Sequence, residues 1–253
     1  MQILPVLDLL DGQVVRGVAG HRENYRPVQS RLADSASPLN VAMAFRQQLQ
    51  LNQLYVADLD AIEGRRSQIA IWCDLVENGF DVEIDMGVRS TGELQAAFDS
   101  GVHSAIIASE SLPSLELLTK FQEVAKPERL VFSLDLLSGK PRVQIDEWAS
   151  LSALEIVKQV AMLGIHRFIV LDVRSVGMEN GTGTEELCHE IRNLFPHIEL
   201  TTGGGIRSVA DIHRQKEFGS NRVLVASALH SGTLTERDIR CFSLGNRGNP
   251  GAC

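Results

Sequence analysis

Short apolar segments alternate with segments of helical periodicity along the chain. Eight of the apolar segments are nearly continuous in their apolar character, which is typical of strands buried on both faces of a parallel sheet. They are residues 3–8, 54–59, 82–86, 104–108, 130–135, 167–172, 198–202 and 222–226. Segments with helical spacing lie between them, for example residues 38–49, 152–163 and 185–195. The pattern predicts eight strands that alternate with helices.

This alternation fits either a closed (β/α)8 barrel or a doubly wound open sheet. An internal repeat favours the barrel, because four segments of the first half return in the same order in the second half. LPVLDLLDG returns as VFSLDLLSG, YVADLD as IVLDVR, GVRS as GIRS, and IIAS as LVAS. Two sequence-similar halves of four βα units each predict an α/β fold, a TIM barrel.

The repeat also predicts the domain organisation. Residues 1–243 are expected to form a single barrel domain, with half-barrels at about 1–126 and 127–243. Residues 244–253 are rich in Gly and Asn and have no apolar periodicity. They are predicted to form a flexible tail.

Composition and net charge indicate which classes of binding partner the protein can have. Hydrophobic residues make up 44% of the chain, and the formal net charge is -8. A negative chain is repelled by nucleic acid and by anionic membrane surfaces, whereas one local site can still bind an anionic small molecule. The first residues carry acidic groups where a signal peptide would be apolar, and no long apolar run follows. We expect a soluble, cytoplasmic protein.

Two aspartates occupy matching strand ends in the repeat, Asp8 and Asp135. In barrels of this class the reactive groups lie at the carboxyl ends of the strands, and strands 1 and 5 face each other. A single aspartate at such a position more often caps a loop, but a facing pair in symmetric positions favours acid–base catalysis. Asp8 and Asp135 are the predicted catalytic pair.

A glycine-rich segment follows the seventh predicted strand, with Gly203, Gly204 and Gly205 before a helix start. Glycines allow the backbone to approach a ligand closely, and exposed N–H groups favour a phosphate. The loop after strand 8, with Ala226 and Ser227, completes the phosphate position that is typical of these barrels. The sequence therefore predicts phosphate binding at the strand 7 and strand 8 loops.

The equivalent segment of the first half differs from this pattern. Asp85 and Met86 stand where the second half has two glycines, and both oppose phosphate binding by charge and size. The long connection after strand 1 carries several arginines, Arg16 among them, that are candidates for binding the substrate. The sequence leaves a second phosphate site in doubt.

Three further residues have two interpretations each. Asp58 and Asp172, at the ends of strands 2 and 6, are candidates for binding substrate hydroxyls or for fixing a loop. Trp148 follows strand 5, where it can stack on a planar ligand or cover the barrel mouth.

The four cysteines are widely separated, without the spacing of a zinc or redox site, and no metal is predicted.

The strand-end motifs LDLLDGQVVRG, VADLDAIEG, FSLDLLSG, LDVRSVG, TTGGGIRS and ASALHSG resemble the HisA/HisF barrels of histidine biosynthesis, and more closely the HisA side. HisA enzymes are phosphoribosylformimino-5-aminoimidazole carboxamide ribotide isomerases. The resemblance implies an Amadori rearrangement of an aminoaldose without a cofactor, in which the residues that match are Asp8 as general base and Asp135 as general acid. It also implies a substrate with a phosphate at each end.

The chain departs from the family at the active face. Val176 stands where a second family aspartate is expected, and Glu147 precedes Trp148 where the family has glycine. Either the loop arginines bind the second phosphate in place of the missing glycine loop, or the protein is a paralogue acting on a different substrate, for example a singly phosphorylated one. The latter resembles HisA-related proteins of methanogens and methylotrophs, a setting that suggests pterin or furan cofactor synthesis. A third alternative is a barrel that binds phosphate without catalysis. The sequence does not determine the oligomeric state.

Overall fold

The structure is a computed structural model that describes residues 1–18, 21–177 and 181–244. Within these ranges eight parallel strands form the barrel wall. They are β1 (Gln2–Leu10), β2 (Gln53–Asp58), β3 (Asp81–Asp85), β4 (Ser104–Ala108), β5 (Leu130–Leu137), β6 (Arg167–Asp172), β7 (Glu199–Gly203) and β8 (Arg222–Val225). Each pairs with the next, and β8 pairs with β1 through Ile3 and Val223. The sheet closes, which confirms the predicted (β/α)8 TIM barrel.

One main helix follows each strand. These are α1 (Pro38–Leu49), α2 (Ile69–Glu77), α3 (Thr91–Asp99), α4 (Leu115–Val124), α5 (Ala153–Met162), α6 (Glu185–Leu194), α7 (Val209–Glu217) and α8 (Glu236–Leu244). The helix predicted over residues 152–163 begins one residue later because Ser152 is its N-cap. The Ser152 hydroxyl accepts a hydrogen bond from the backbone of Glu155, whose carboxylate accepts one from the Ser152 backbone.

Apolar side chains fill two layers of the barrel. The inner layer lies along the barrel axis and includes Leu4, Tyr55 and Leu224. The outer layer packs the sheet against the helices and includes Phe45 and Phe121, neither of which is exposed. Successive residues of a strand point to opposite faces, so each strand contributes to both layers. This is why the strands read as continuous apolar segments in the sequence.

Charged side chains close the amino-terminal end of the barrel. The Glu83 carboxylate accepts hydrogen bonds from Arg167 at 2.6 Å and from Arg222 at 2.9 Å. Glu199 accepts from the same two arginines, at 2.9 Å and 2.8 Å. Two positive and two negative groups are therefore paired at the end opposite to the predicted site.

The repeat is visible in the backbone after β1 and β5. A short antiparallel strand follows each of them, at Gln13–Arg16 and at Lys140–Pro141. The connecting turns both have positive φ angles, 49° and 81° at Asp11 and Gly12, and 54° and 77° at Ser138 and Gly139. The two halves therefore share their hairpins as well as their sequence motifs.

The proposed domain boundaries remain predictions. Leu244, the first residue of the predicted tail, is the last residue of α8. Residues 245–253 lie outside the described residues. No helix of the described chain has the length and apolar character needed to cross a membrane.

Candidate active site

A cavity of about 1100 Å³ opens at the carboxyl-terminal end of the barrel. Asp8 and Asp85 line it from the first half, and Asp135, Gly205 and Ser227 line it from the second. Active sites of this fold lie at this end, where the loops that follow the strands meet. The cavity is large enough for a small-molecule substrate.

Three carboxyl groups on alternate strands line the cavity, those of Asp8, Asp85 and Asp135. Asp8 of β1 and Asp85 of β3 both pair with the same residue of β2, so they lie at the same level of the sheet. Asp135 of β5 and Gly203 of β7 likewise both pair with one residue of β6, so these two also lie at the same level. The two pairs lie on alternate strands, and we call these four residues the acidic ring. In it Asp8 faces Asp135, and Asp85 faces Gly203.

The loops after β1 and β6 cover part of Asp8. A β-carbon built on Gly17 would lie 3.1 Å from Asp8 Oδ2, 3.2 Å from Val176 Cγ1 and 3.6 Å from the Tyr25 hydroxyl. Burial raises the pKa of Asp8 to about 7, with the Arg22 guanidinium opposing this shift and Asp85 adding to it. Val176, in place of the expected family aspartate, contributes an apolar side chain to this surrounding.

Asp135 is 8% exposed and lies in a different environment. Burial raises its pKa well above the ordinary value, and the charges of Glu110 and Asp85 raise it further. The Ser133 hydroxyl donates a hydrogen bond to Asp135 Oδ1 at 3.1 Å, which lowers the pKa only in part. Burial therefore raises the pKa of both facing carboxyl groups, and the charges around them differ, with Arg22 near Asp8 and Glu110 near Asp135.

The β7 and β8 loops present unpaired backbone donors to the cavity. Gly204 and Gly205 have φ angles of 81° and 76° and line the cavity with Ala226 and Ser227. Within the described residues, the backbone N–H groups of Gly204, Gly205, Ser227 and Ala228 donate to no other group. A β-carbon on Gly205 would lie 2.6 Å from the Gly181 carbonyl oxygen, so this position requires glycine. Four free donors around one pocket suit an anion.

Gly203 was predicted to bind phosphate with its two neighbours, and the structure gives it another role. It is the last residue of β7 and does not line the cavity. A β-carbon there would lie 2.7 Å from the Leu224 β-carbon. The glycine lets β7 and β8 pack closely, and its role in binding phosphate stays a prediction.

Asp58 and Asp172 fix loops and do not line the cavity. The Asp58 carboxylate accepts hydrogen bonds from the backbone of Ala61 at 3.0 Å and of Gln68 at 2.7 Å. Asp172 accepts from the backbone of Ser138 at 3.2 Å and of Gly139 at 2.7 Å. Of the two interpretations of these aspartates, the contacts favour the structural one.

Trp148 packs in the core and does not reach the cavity. Its side chain is 1% exposed, and its indole N–H donates to Gln159 Oε1 at 2.7 Å. Its ring meets Phe132 edge to face, with centroids 5.8 Å apart. Burial and the hydrogen bond to Gln159 of α5 favour a structural role for Trp148, and its role in binding substrate stays a prediction.

The arginine-rich loop after β1 folds over the cavity. Arg16, Arg22 and Arg26 line the cavity. Arg22 pairs with Glu63 at 2.8 Å, and Arg26 donates to carbonyl groups of its own loop. The loop is tied to the β8 loop, where the Arg31 backbone donates to the His230 carbonyl at 2.8 Å. Arg16 thus lies where a cationic side chain can contact an anionic substrate.

Asp85 was not recognised from the sequence as part of the acidic ring, nor was Tyr55 recognised as its hydrogen-bond partner. The Tyr55 hydroxyl donates to Asp85 Oδ2 at 3.1 Å, and the Gly87 backbone donates to Asp85 Oδ1 at 3.1 Å. Burial raises the pKa of Asp85 to about 6, against the lowering effect of these two donors. The sequence signal for Asp85 was the segment VEID, whose aspartate lies at the carboxyl end of a predicted strand as Asp8 does. Comparison of the two halves showed only that Asp85 stands where the second half has glycine.

Among the residues that the structure describes, no group of three or more His, Cys, Asp or Glu side chains has the arrangement of a metal site. The cavity offers two facing carboxyl groups whose pKa values are raised by burial, with free backbone N–H donors beside them.

Comparison with known proteins agrees with this arrangement. The family model described as histidine biosynthesis protein matches residues 2–235. An uncharacterized protein of Methanocaldococcus jannaschii is 30% identical over 94% of this chain and 97% of its own. The 1-(5-phosphoribosyl)-5-((5-phosphoribosylamino)methylideneamino) imidazole-4-carboxamide isomerase of Bacteroides thetaiotaomicron is 28% identical over 96% of this chain and 99% of its own. The isomerase of the same name from Shewanella pealeana is 28% identical over 95% and 98%.

The closed barrel, the strand-end motifs and the match over residues 2–235 have one explanation: this chain belongs to the histidine biosynthesis protein family of HisA/HisF barrels.

Proposed function

We propose that the protein is a cofactor-independent isomerase that catalyses an Amadori-type aldose–ketose rearrangement of a phosphorylated sugar. The substrate is a phosphoribosyl aminoimidazole carboxamide ribotide or a closely related compound. The observation that carries this proposal is the pair Asp8 and Asp135, which line one cavity from facing strands and have pKa values raised by burial in different charged surroundings. An acid and a base held on a rigid frame are what such a rearrangement requires.

The substrate phosphate binds to the free N–H groups of Gly204, Gly205 and Ser227, which places the sugar over the barrel mouth. Asp135 donates its proton to the furanose ring oxygen, and the ring opens to an imine at C1. Asp8 then removes the proton from C2 of the protonated imine, which gives an enaminol. Asp8 returns this proton to C1 while the C2 hydroxyl loses its proton to Asp135, and the aminoketose forms with both carboxyl groups in their starting states. Asp8 suits the role of base because its pKa of about 7 leaves a large unprotonated fraction at neutral pH while its conjugate acid remains a competent donor.

Neutral variants of the two aspartates test this assignment. We expect Asp8→Asn and Asp135→Asn each to lower kcat by about 10²–10⁴-fold, the usual contribution of a positioned acid or base. Turnover is measured on the doubly phosphorylated aminoaldose for which the relatives are named and on singly phosphorylated aminoaldoses. Asp99→Asn, an exposed carboxylate on α3, is the matched control. Full activity in either variant of the pair contradicts the mechanism.

A second candidate is a paralogue that performs related chemistry on a different, singly phosphorylated substrate in cofactor biosynthesis. The observation that favours it is the acidic Asp85 at the position that repeats Gly203, on the side of the cavity opposite to the proposed phosphate pocket. Turnover of singly but not doubly phosphorylated aminoaldoses would select this candidate. If no aminoaldose phosphate is turned over while phosphate still binds, a binding protein without catalysis is indicated.

A further inference from the structure

The internal repeat allows the two ends of the cavity to be compared position by position. Gly205 of the second half corresponds to Gly87 of the first, and Ser227 corresponds to Ser109. In the second half both backbone N–H groups are free, as described above. In the first half the Gly87 N–H donates to Asp85 Oδ1 at 3.1 Å, and the Ser109 N–H donates to the Ser133 carbonyl at 2.8 Å. The first half therefore lacks these donors for a phosphate.

The cationic side chains on the same side are engaged as well. Arg89 donates to the carbonyl groups of Gly87 and Ile62, both at 2.8 Å. Arg142 pairs with Glu110 at 2.8 Å, and Glu110 stands where the second half has Ala228. Arg89 and Arg142 therefore already have acceptors, and Arg22, whose charge lowers the pKa of Asp85, pairs with Glu63 at 2.8 Å.

Asp85 lies close to both proposed catalytic carboxyl groups, because its charge raises the pKa of Asp8 and of Asp135. It is 9% exposed, lines the cavity and occupies the ring position opposite Gly203. A substrate whose phosphate lies at the β7 and β8 loops passes between Asp8 and Asp135, and its far end arrives at Asp85. Each Asp85 oxygen accepts one hydrogen bond from the protein and can accept another.

We propose that Asp85 is a specificity-determining residue that selects a substrate with one phosphate and a hydrogen-bond donor, an amino or hydroxyl group, at its far end. This inference rests on the proposed function, because it assumes the proposed isomerase site with its phosphate at the β7 and β8 loops. Of the substrates considered there, it selects the singly phosphorylated one over the doubly phosphorylated ribotide. A second phosphate is rejected, since two anions in a poorly solvated cavity repel each other. A hydroxyl or ammonium group instead completes the acceptor capacity of a buried carboxylate.

Phosphate stoichiometry is the first arm of the test. Equilibrium dialysis with radiolabelled inorganic phosphate is expected to give one bound phosphate per wild-type chain and none in Ser227→Glu, which places a carboxylate in the proposed pocket. The triple variant Asp85→Gly, Met86→Gly, Glu110→Ala gives the first half the residues of the second and releases Arg142. It is expected to bind two phosphates. Circular dichroism confirms that each variant is folded.

Competition with linear alkyl phosphates of equal length is the second arm. The probes end in an amino group, a hydroxyl, a methyl or a second phosphate, and they displace labelled phosphate from the protein. Wild type is expected to bind the amino-terminated probe about tenfold more tightly than the methyl-terminated one, the size of one charge-assisted hydrogen bond, and to bind the bisphosphate most weakly. Asp85→Asn, which keeps the shape of the side chain, is expected to abolish the preference for the amino group.

The outcomes separate the two proposals. If wild type binds no phosphate, or if Ser227→Glu leaves binding intact, the phosphate pocket is wrong and the role of Asp85 falls with it. If one phosphate binds as expected but wild type and Asp85→Asn rank the four probes alike, the phosphate pocket stands and the role of Asp85 is refuted. Tight binding of the bisphosphate by wild type also overturns it.

Discussion

Asp8→Asn is expected to stabilise the fold at alkaline pH, although it removes the proposed base. Burial raises the pKa of Asp8 from 3.8 to about 7, so the folded state binds this proton more tightly than the unfolded chain does. The folded state is favoured by this group below about pH 4, and that contribution is lost as the pH rises through 7. Above pH 7 the ionised carboxylate opposes folding, and a neutral amide at the same position does not.

The magnitude follows from the size of the shift. About three pKa units correspond to about 4 kcal/mol at 1.36 kcal/mol per unit. Asp8 keeps partial contact with water in the cavity, and the buried amide of asparagine also needs partners, so we expect roughly half of this, about 2 kcal/mol. For a domain of this size that is about 4–8 °C in Tm.

Thermal unfolding followed by circular dichroism between pH 4 and pH 8.5 measures the effect. The Tm of Asp8→Asn is expected to exceed that of wild type at pH 8 and to approach it as the pH falls toward 4. Asp99→Asn, on the exposed face of α3, is the control and should show no such dependence on pH. A variant that is no more stable than wild type at pH 8, or a difference that does not change with pH, refutes the reasoning.

Three further substitutions test the structural assignments. Asp172→Ala removes the acceptor of two backbone N–H groups in the β5 hairpin and should lower the free energy of unfolding by about 1–3 kcal/mol in urea titrations; an unchanged midpoint would contradict its role in fixing the loop. Glu83→Gln leaves the buried Arg222 with less compensation and should destabilise the barrel by about 3 kcal/mol, with kcat unchanged; a neutral effect would show that water solvates this cluster. Trp148→Phe removes the hydrogen bond to Gln159 and should lower stability by about 1 kcal/mol with KM unchanged, whereas an increase in KM would return the side chain to the substrate.

Local sequence features were sufficient for the fold and for the facing aspartates. Continuous apolar segments separated by helical spacing identify the strands, and the internal repeat makes eight of them close into a barrel. In that topology strand 1 must face strand 5, so the positions of Asp8 and Asp135 follow from the order of elements alone. The glycines after β7 were equally readable, because few other residues adopt their backbone conformations.

Tertiary structure decided the roles that depend on a partner distant in the chain. Asp58 and Asp172 look like ligand-binding residues until the N–H groups that they accept from are known, and Trp148 faces the helix layer because Gln159 pairs with its indole. In the sequence, Asp85 indicated only that a phosphate-binding loop had been lost, yet strand register places it level with Asp8. A sequence gives the alternation of faces within a strand, whereas the level of one strand against another is set by hydrogen bonds between segments far apart in the chain. That is why the acidic ring became visible only in the folded barrel.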